Sequence, residues 1–186
     1  PQDVAEAWLN YGREGVGLYW WGGYGVSTEH TAYLNLKNGI PAPQSGSIHQ
    51  NGKTLAEQIG GQIFIDTWGL IAPADPARAA RYAVTAASVS HDGEGLHGAA
   101  FMAAAISKAF ETSDMEEIIA AGLQQIPADC LYRKVFDAVE RCYRNDPQDW
   151  RACLAMLQAE WGYDKYPGVC HIIPNAGVCA LALFYG

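Results

Sequence analysis

Positive charge is scarce in this chain: 12 Lys and Arg stand against 20 Asp and Glu over 186 residues, for a formal net charge of -8. A surface of that sign repels phosphate backbones, which argues against nucleic acid or an anionic membrane as the main partner. Long apolar runs are missing as well, since no stretch approaches the roughly 18 consecutive apolar residues of a membrane span. The first residues carry neither the basic nor the apolar region of a secretion signal. The five cysteines, Cys130, Cys142, Cys153, Cys170 and Cys179, are odd in number, sit in the last third and show no CxxC or zinc-type spacing. A reducing, cytoplasmic setting is the expected one. No alternating strand pattern is sustained, and there is no internal repeat.

What is present is apolar and helical. With 49% hydrophobic and 17% charged residues, the chain can bury a core of one-domain size. A Ser27/Thr28 cap and an Asn38-Gly39 stop frame a helix over 27–37, and the Pro/Ser/Gly cluster of 40–52 reads as a surface loop. Thr54 to Trp68 reads as one helix, with Gln58, Gln62 and Asp66 four apart on a polar stripe. Asp75-Pro76 starts a helix that runs to about Ser88, and an alanine-rich helix follows Gly95. Ser113-Asp114-Met115-Glu116 has the form of a capping box for a helix ending near Gly122 to Gln125. Residues 130–143 form an amphipathic helix, Asp146-Pro147 starts another, and 175–185, apolar all round, reads as a buried one. The class is all-α, with seven to nine helices of ordinary length. The chain opens within an apparent helix (Val4, Ala5, Trp8, Leu9) without a methionine and stops on an apolar one, so a fragment is expected.

Three groups of residues could carry chemistry. Ser90-His91-Asp92-Gly93-Glu94-Gly95-Leu96-His97-Gly98 is the densest polar set in an apolar neighbourhood and lies between two helices, where sites concentrate. On spacing alone the commoner reading of such a segment is a capping turn, with Asp92 as cap and His91 as a satisfied core group. Gln58, Gln62 and Asp66 could hold sugar hydroxyls from one helical face, or form a solvated stripe. Tyr19, Trp20, Trp21 and Tyr24 among Gly22, Gly23 and Gly25 could stack on a ring or plug the core. Glu14, Glu29 and His30 nearby read as surface groups, and Cys170-His171 has no second metal-type pair.

Four blocks together resemble the ADP-ribosylglycohydrolase family: residues 39–43 (Gly-Ile-Pro-Ala-Pro), 56–69 (with Gly-Gly-Gln-Ile-Phe-Ile-Asp), Ala72-Pro73, and 86–93 (ending Ser-His-Asp-Gly). The resemblance implies an all-α, orthogonally packed multi-helix bundle that hydrolyses the N- or O-glycosidic bond joining ADP-ribose to a protein side chain or small molecule. It also implies a pair of divalent cations, Mg2+ or Mn2+, held by an acidic motif before this region and an Asp-x-Asp-Thr motif after it. No Asp-Asp pair occurs in the chain, and Asp66-Thr67 is preceded two positions earlier by Phe64, so no metal ligand is assigned. By position, His91 falls on the family's Ser/Thr-His motif beside the substrate. Gln62 and Asp66 fall on the helix that lines the cleft, and Asp92 and Gly93 stand next to His91, with the Gly93 and Gly95 amides offered to the diphosphate. The expected partner is an ADP-ribosylated protein or small molecule, with neither nucleic acid nor membrane involved.

Three functions compete on these grounds. One is a hydrolase of ADP-ribosyl bonds by metal-activated water, with its metal motifs outside this chain. Another is a module of the same fold that binds ADP-ribose or a nucleoside without turnover. The third is a sugar-processing helical barrel, suggested by six tryptophans and many acids, which needs paired carboxylates across a cleft.

Overall fold

The computed structural model describes residues 1–13, 15–17, 22–168 and 170–186. Among these the chain is helical and forms no strand, as the hydrophobic spacing predicts. Eight helices have nine residues or more: α1 Gln2–Tyr11, α2 Thr28–Lys37, then, after four short ones, α7 Pro76–Ala87, α8 Glu94–Lys108, α9 Met115–Leu123, α10 Leu131–Asn145, α11 Trp150–Trp161 and α12 Ile172–Tyr185. The short ones are α3 Ile48–Asn51, α4 Lys53–Ala56, α5 Gly60–Ile63 and α6 Asp66–Leu70.

Helix α8 is the hub and packs on α5, α6, α7, α9, α10 and α12. Its small residues make this possible. Ala99 and Ala103 meet Ala79, Ala83 and Ala87 of α7 in one buried cluster, with no side chain large enough to hold the two backbones apart. At Gly98 a Cβ would strike Ile172 of α12. The larger core lies on the other side of α8, where the Phe101 ring sits 4.4 Å from Phe136 and 5.4 Å from Tyr132, centroid to centroid. Ile172, Ile173 and Leu157 close it from α12 and α11.

Several caps fall where the residue types put them. Asp75 accepts from the Arg78 amide at 3.0 Å, with Pro76 next to it at the first helical position. At α9 the expected box is not formed: Asp114, one residue beyond Ser113, accepts from both the Glu116 and Glu117 amides. Asp146 likewise does not start α11. Its carboxylate accepts from the Gln148 amide in a turn, and Asp149 caps the helix by accepting from Ala152. Helix α12 is buried on one face only, with Val178 48% exposed.

The single helix expected over 54–68 is instead three pieces. Residues 57–59 are drawn out of helical geometry by a distant partner, since Ile59 donates to the Cys170 carbonyl at 2.8 Å and Ile172 donates to the Glu57 carbonyl at 2.9 Å. Glycines 60 and 61 weaken the helix further. The expected surface loop at 40–52 is also anchored: Ser45 is fully buried and donates to the Val89 carbonyl, and Asn35 donates to the Ser45 carbonyl.

Glu57, 2% exposed, ties these segments together. One carboxylate oxygen accepts from the Glu94 amide at 3.2 Å; the other lies 3.2 Å from Nε2 of the buried His171. Removing one partner of such a buried hydrogen-bonded pair leaves the other unsatisfied, at about 1–3 kcal/mol. Glu57→Ala is therefore expected to lose stability on that scale in urea titration. Adding His171→Ala should cost much less than the two single losses summed; additive losses would show that the pair is not coupled.

Candidate functional site

Three elements bring the site together. Helix α7 ends at Ala87, capped by Ser88, and delivers His91, whose amide donates to the Ala87 carbonyl at 2.8 Å. The start of α2, capped by Ser27, delivers Glu29 in its first turn, and Thr28 ties that end to the Leu55 carbonyl. Gly60 opens α5 between them. A Cβ there would strike the Glu29 carboxylate and the His91 ring, so only glycine lets the three approach.

His91 is 1% exposed. Its Nδ1 lies 2.8 Å from the Ser90 hydroxyl, while Nε2 is buried with no hydrogen-bond partner. The hydroxyl can donate to Nδ1 or accept from it, so in either tautomer the imidazole atom left to a ligand is Nε2. The nearest carboxylate, Glu29 Oε1, is 3.7 Å away, too far for a hydrogen bond. Burial pushes the His91 pKa down to about 3, so the ring is neutral and the pair is not an ion pair. Burial also pushes the Glu29 carboxyl above its ordinary value, against its hydrogen bonds to its own backbone and to Ser27. Two desolvated titratable groups thus face each other at close range. Perturbation of this kind by desolvation is a recurrent property of functional sites.

Glu29 lines a cleft of about 530 Å³ with Trp8, Ile63, Phe64 and Trp68. The Phe64 ring is 5.6 Å from the His91 ring. His91 and Asp92 line a second cleft, of about 500 Å³, with Ser47, His49 and Gln50. His91 itself lines the second cleft and borders the first through Glu29 and Phe64.

The structure brings His91, Asp92 and Gly93 together but separates Gln62 and Asp66 from them and from each other. Gln62 is buried and accepts from the Tyr132 hydroxyl at 3.0 Å, so it faces the core. Asp66 is exposed at the start of α6 and lines neither cleft. The common stripe fails because the helix meant to carry it is broken. Asp92 is a brace, accepting from the Ile48 and Gly93 amides at 3.0 and 2.8 Å. Gly93 has φ +55°, and a Cβ there would strike Glu57. Its amide is spent on Asp92, and that of Gly95 on the Asp92 carbonyl, so neither is left for a diphosphate.

Sequence reasoning missed Glu29, Trp8, Phe64 and Trp68, whose spacing gives no sign that they converge. Of the aromatic candidates, Tyr19, Trp20 and Trp21, with Glu14, lie outside the described residues, and Tyr24 is exposed. Among the described residues one group of His, Cys, Asp and Glu comes within reach of a single ion: Glu94, His97 and Cys130. A thiol and an imidazole do not suit Mg2+ or Mn2+, which prefer oxygen ligands, so the described residues do not fit that ion pair. Among them no helix is long and apolar enough to cross a membrane.

The depressed pKa of His91 gives stability a pH dependence. Between the ordinary value of about 6.5 and the folded value of about 3, the unfolded chain takes up a proton that the folded chain refuses, so stability falls as pH falls through that window. Glu29, raised, works in the opposite sense, its contribution being lost as pH rises through its folded value. His91→Gln should flatten the decline of Tm between pH 6.5 and 4; an unchanged slope would show that His91 is not the group responsible.

Comparison with curated proteins and with solved structures gives no match. The family model described as ADP-ribosylglycohydrolase matches residues 1–185. With that match over nearly the whole length, on an all-α fold that sets the Ser-His pair beside a cleft, the chain belongs to the ADP-ribosylglycohydrolase family.

Proposed function

We propose that this chain acts on ADP-ribosyl glycosidic bonds and that its aromatic cleft holds the ADP-ribosyl group. The observation that carries the reading is the neutral, buried His91, its unpartnered Nε2 facing Glu29 at the edge of that cleft. A volume of about 530 Å³ is within the roughly 300–1,000 Å³ of small-molecule sites. Trp8, Phe64 and Trp68 offer flat apolar surface to the adenine ring. His91 Nε2 would bond a ribose hydroxyl, donor and acceptor alike, whichever tautomer it holds.

Cleaving the ribosyl bond develops oxocarbenium character at the anomeric carbon, and water must lose a proton as it attacks. Glu29, with its raised pKa, is suited to take that proton: a base gains strength as its pKa approaches the working pH. Asp92 and Gly93 would act indirectly, by fixing the turn that aims His91. Gln62 would support the wall from the core side. Asp66, exposed and away from both clefts, has no direct role in this reading.

A module that binds ADP-ribose without turnover is the second reading, in which the aromatic cleft and the neutral His91 bind the ligand and Glu29 takes no proton. The helical sugar-processing reading has less support, because Glu29 is the one carboxylate among the described residues lining the aromatic cleft.

Calorimetric titration with ADP-ribose separates these. Binding is expected without added metal, weakened about tenfold or more by His91→Ala and by Trp68→Ala, and unaffected by Asp66→Ala. Equal affinity in His91→Ala, or preference for an oligosaccharide, would overturn the assignment. Release of free ADP-ribose from a modified peptide, lost in Glu29→Gln with binding retained, distinguishes the hydrolase from the binding module.

A further inference from the structure

A second cluster of reactive side chains lies away from the cleft, where α8 and α10 begin. Glu94 opens α8, and its carboxylate crosses to the start of α10, accepting from the Leu131 and Tyr132 amides at 2.9 Å each. One turn along α8, His97 sets Nδ1 3.1 Å from the same carboxylate. Cys130, the residue before α10, accepts from the Arg133 amide through Sγ at 3.3 Å. One ligand atom from each of the three lies within 4.8 Å of the others.

We propose that Glu94, His97 and Cys130 form a binding site for a single thiophilic divalent cation of the Zn2+ type. The donor set is one thiolate, one imidazole and one carboxylate, the borderline-soft combination that suits zinc. Tetrahedral zinc with bonds of about 2.0–2.3 Å holds its ligand atoms about 3.3–3.8 Å apart. The Glu94–His97 pair already lies at 3.1 Å, and the three ligand atoms fall within 4.8 Å of one another.

The surroundings favour such a site. Glu94 is pre-oriented by two backbone amides, which serve here as the outer shell that a metal ligand needs. His97 keeps 28% of its side chain exposed, leaving a route for the ion and room for water as a fourth ligand. Binding exchanges a proton for the metal: the Cys130 thiol releases its proton to solvent as the thiolate binds, the imidazole binds through a neutral ring nitrogen, and no electron is transferred. The bound ion would clip the start of α8 to the start of α10. This site is independent of the ADP-ribose reading, involves none of its residues and differs in donor chemistry from an oxygen-ligated Mg2+ or Mn2+ pair.

Co2+ titration of the chelator-treated protein tests it directly. One equivalent should produce a thiolate-to-cobalt charge-transfer band, displaced by Zn2+ and unaffected by Mg2+. The band should vanish in Cys130→Ser, whose hydroxyl can still cap α10. His97→Gln should weaken binding about tenfold or more. Cys170→Ser, which removes an exposed thiol, should bind as the unaltered chain does. No band in the unaltered protein, a band that survives Cys130→Ser, or one lost in Cys170→Ser would each overturn the proposal. If Cys130→Ser fails to fold, the His97→Gln affinity decides, full affinity there refuting the site.

Discussion

The buried carboxylate of Glu57 is the constraint on which the other parts of this structure depend. It binds the Glu94 amide at the start of α8 and His171 at the start of α12, while its own carbonyl takes the Ile172 amide. Three segments far apart in sequence are thereby fixed at one point. The turn at Gly93 must pass close over that carboxylate, which is why a positive φ and a missing side chain occur there. His91 stands two residues before that turn, so the aim of its imidazole follows from the way Glu57 is buried.

The site inherits this rigidity. His91 is held by its amide bond to α7, by Ser90 and by the brace of Asp92 against Ile48. Glu29 is held by the cap and the Leu55 tie at the start of α2. A neutral imidazole with one unused nitrogen, set against a carboxyl of raised pKa, costs desolvation free energy. A ligand hydroxyl placed between them would satisfy both. The aromatic cleft supplies the apolar contact that such a ligand's base would need.

Much of the fold was legible in the sequence because its signals are local. Asp75 beside Pro76 marks a helix start from neighbouring atoms alone, and the alanines of α8 announce close packing whatever the partner. The helix over 54–68 was misread because its break is imposed by residues 170–172, more than a hundred positions away, and no periodicity within the segment carries that information. The same holds for the site. His91 stood out through its polar company and its family motif, whereas Glu29 looked like any first-turn carboxylate. Its burial depends on Gly60 and His91 closing over it, which only the folded chain brings about. Gln62 was read on one stripe with Gln58 and Asp66 because the helical register was extended through the break, whereas its carboxamide accepts from Tyr132 in the core.

The state of the His91 ring is the most direct point of attack. Long-range 1H–15N correlation spectra of the histidine side chains, recorded from pH 7 to pH 4 with and without ADP-ribose, report the protonation and hydrogen bonding of each ring nitrogen. A ring that stays neutral across that range, with an Nε2 resonance that moves when ADP-ribose is added, is the expected result. An imidazolium at pH 6, or an Nε2 resonance indifferent to ADP-ribose, would contradict both the buried neutral histidine and its place in the site.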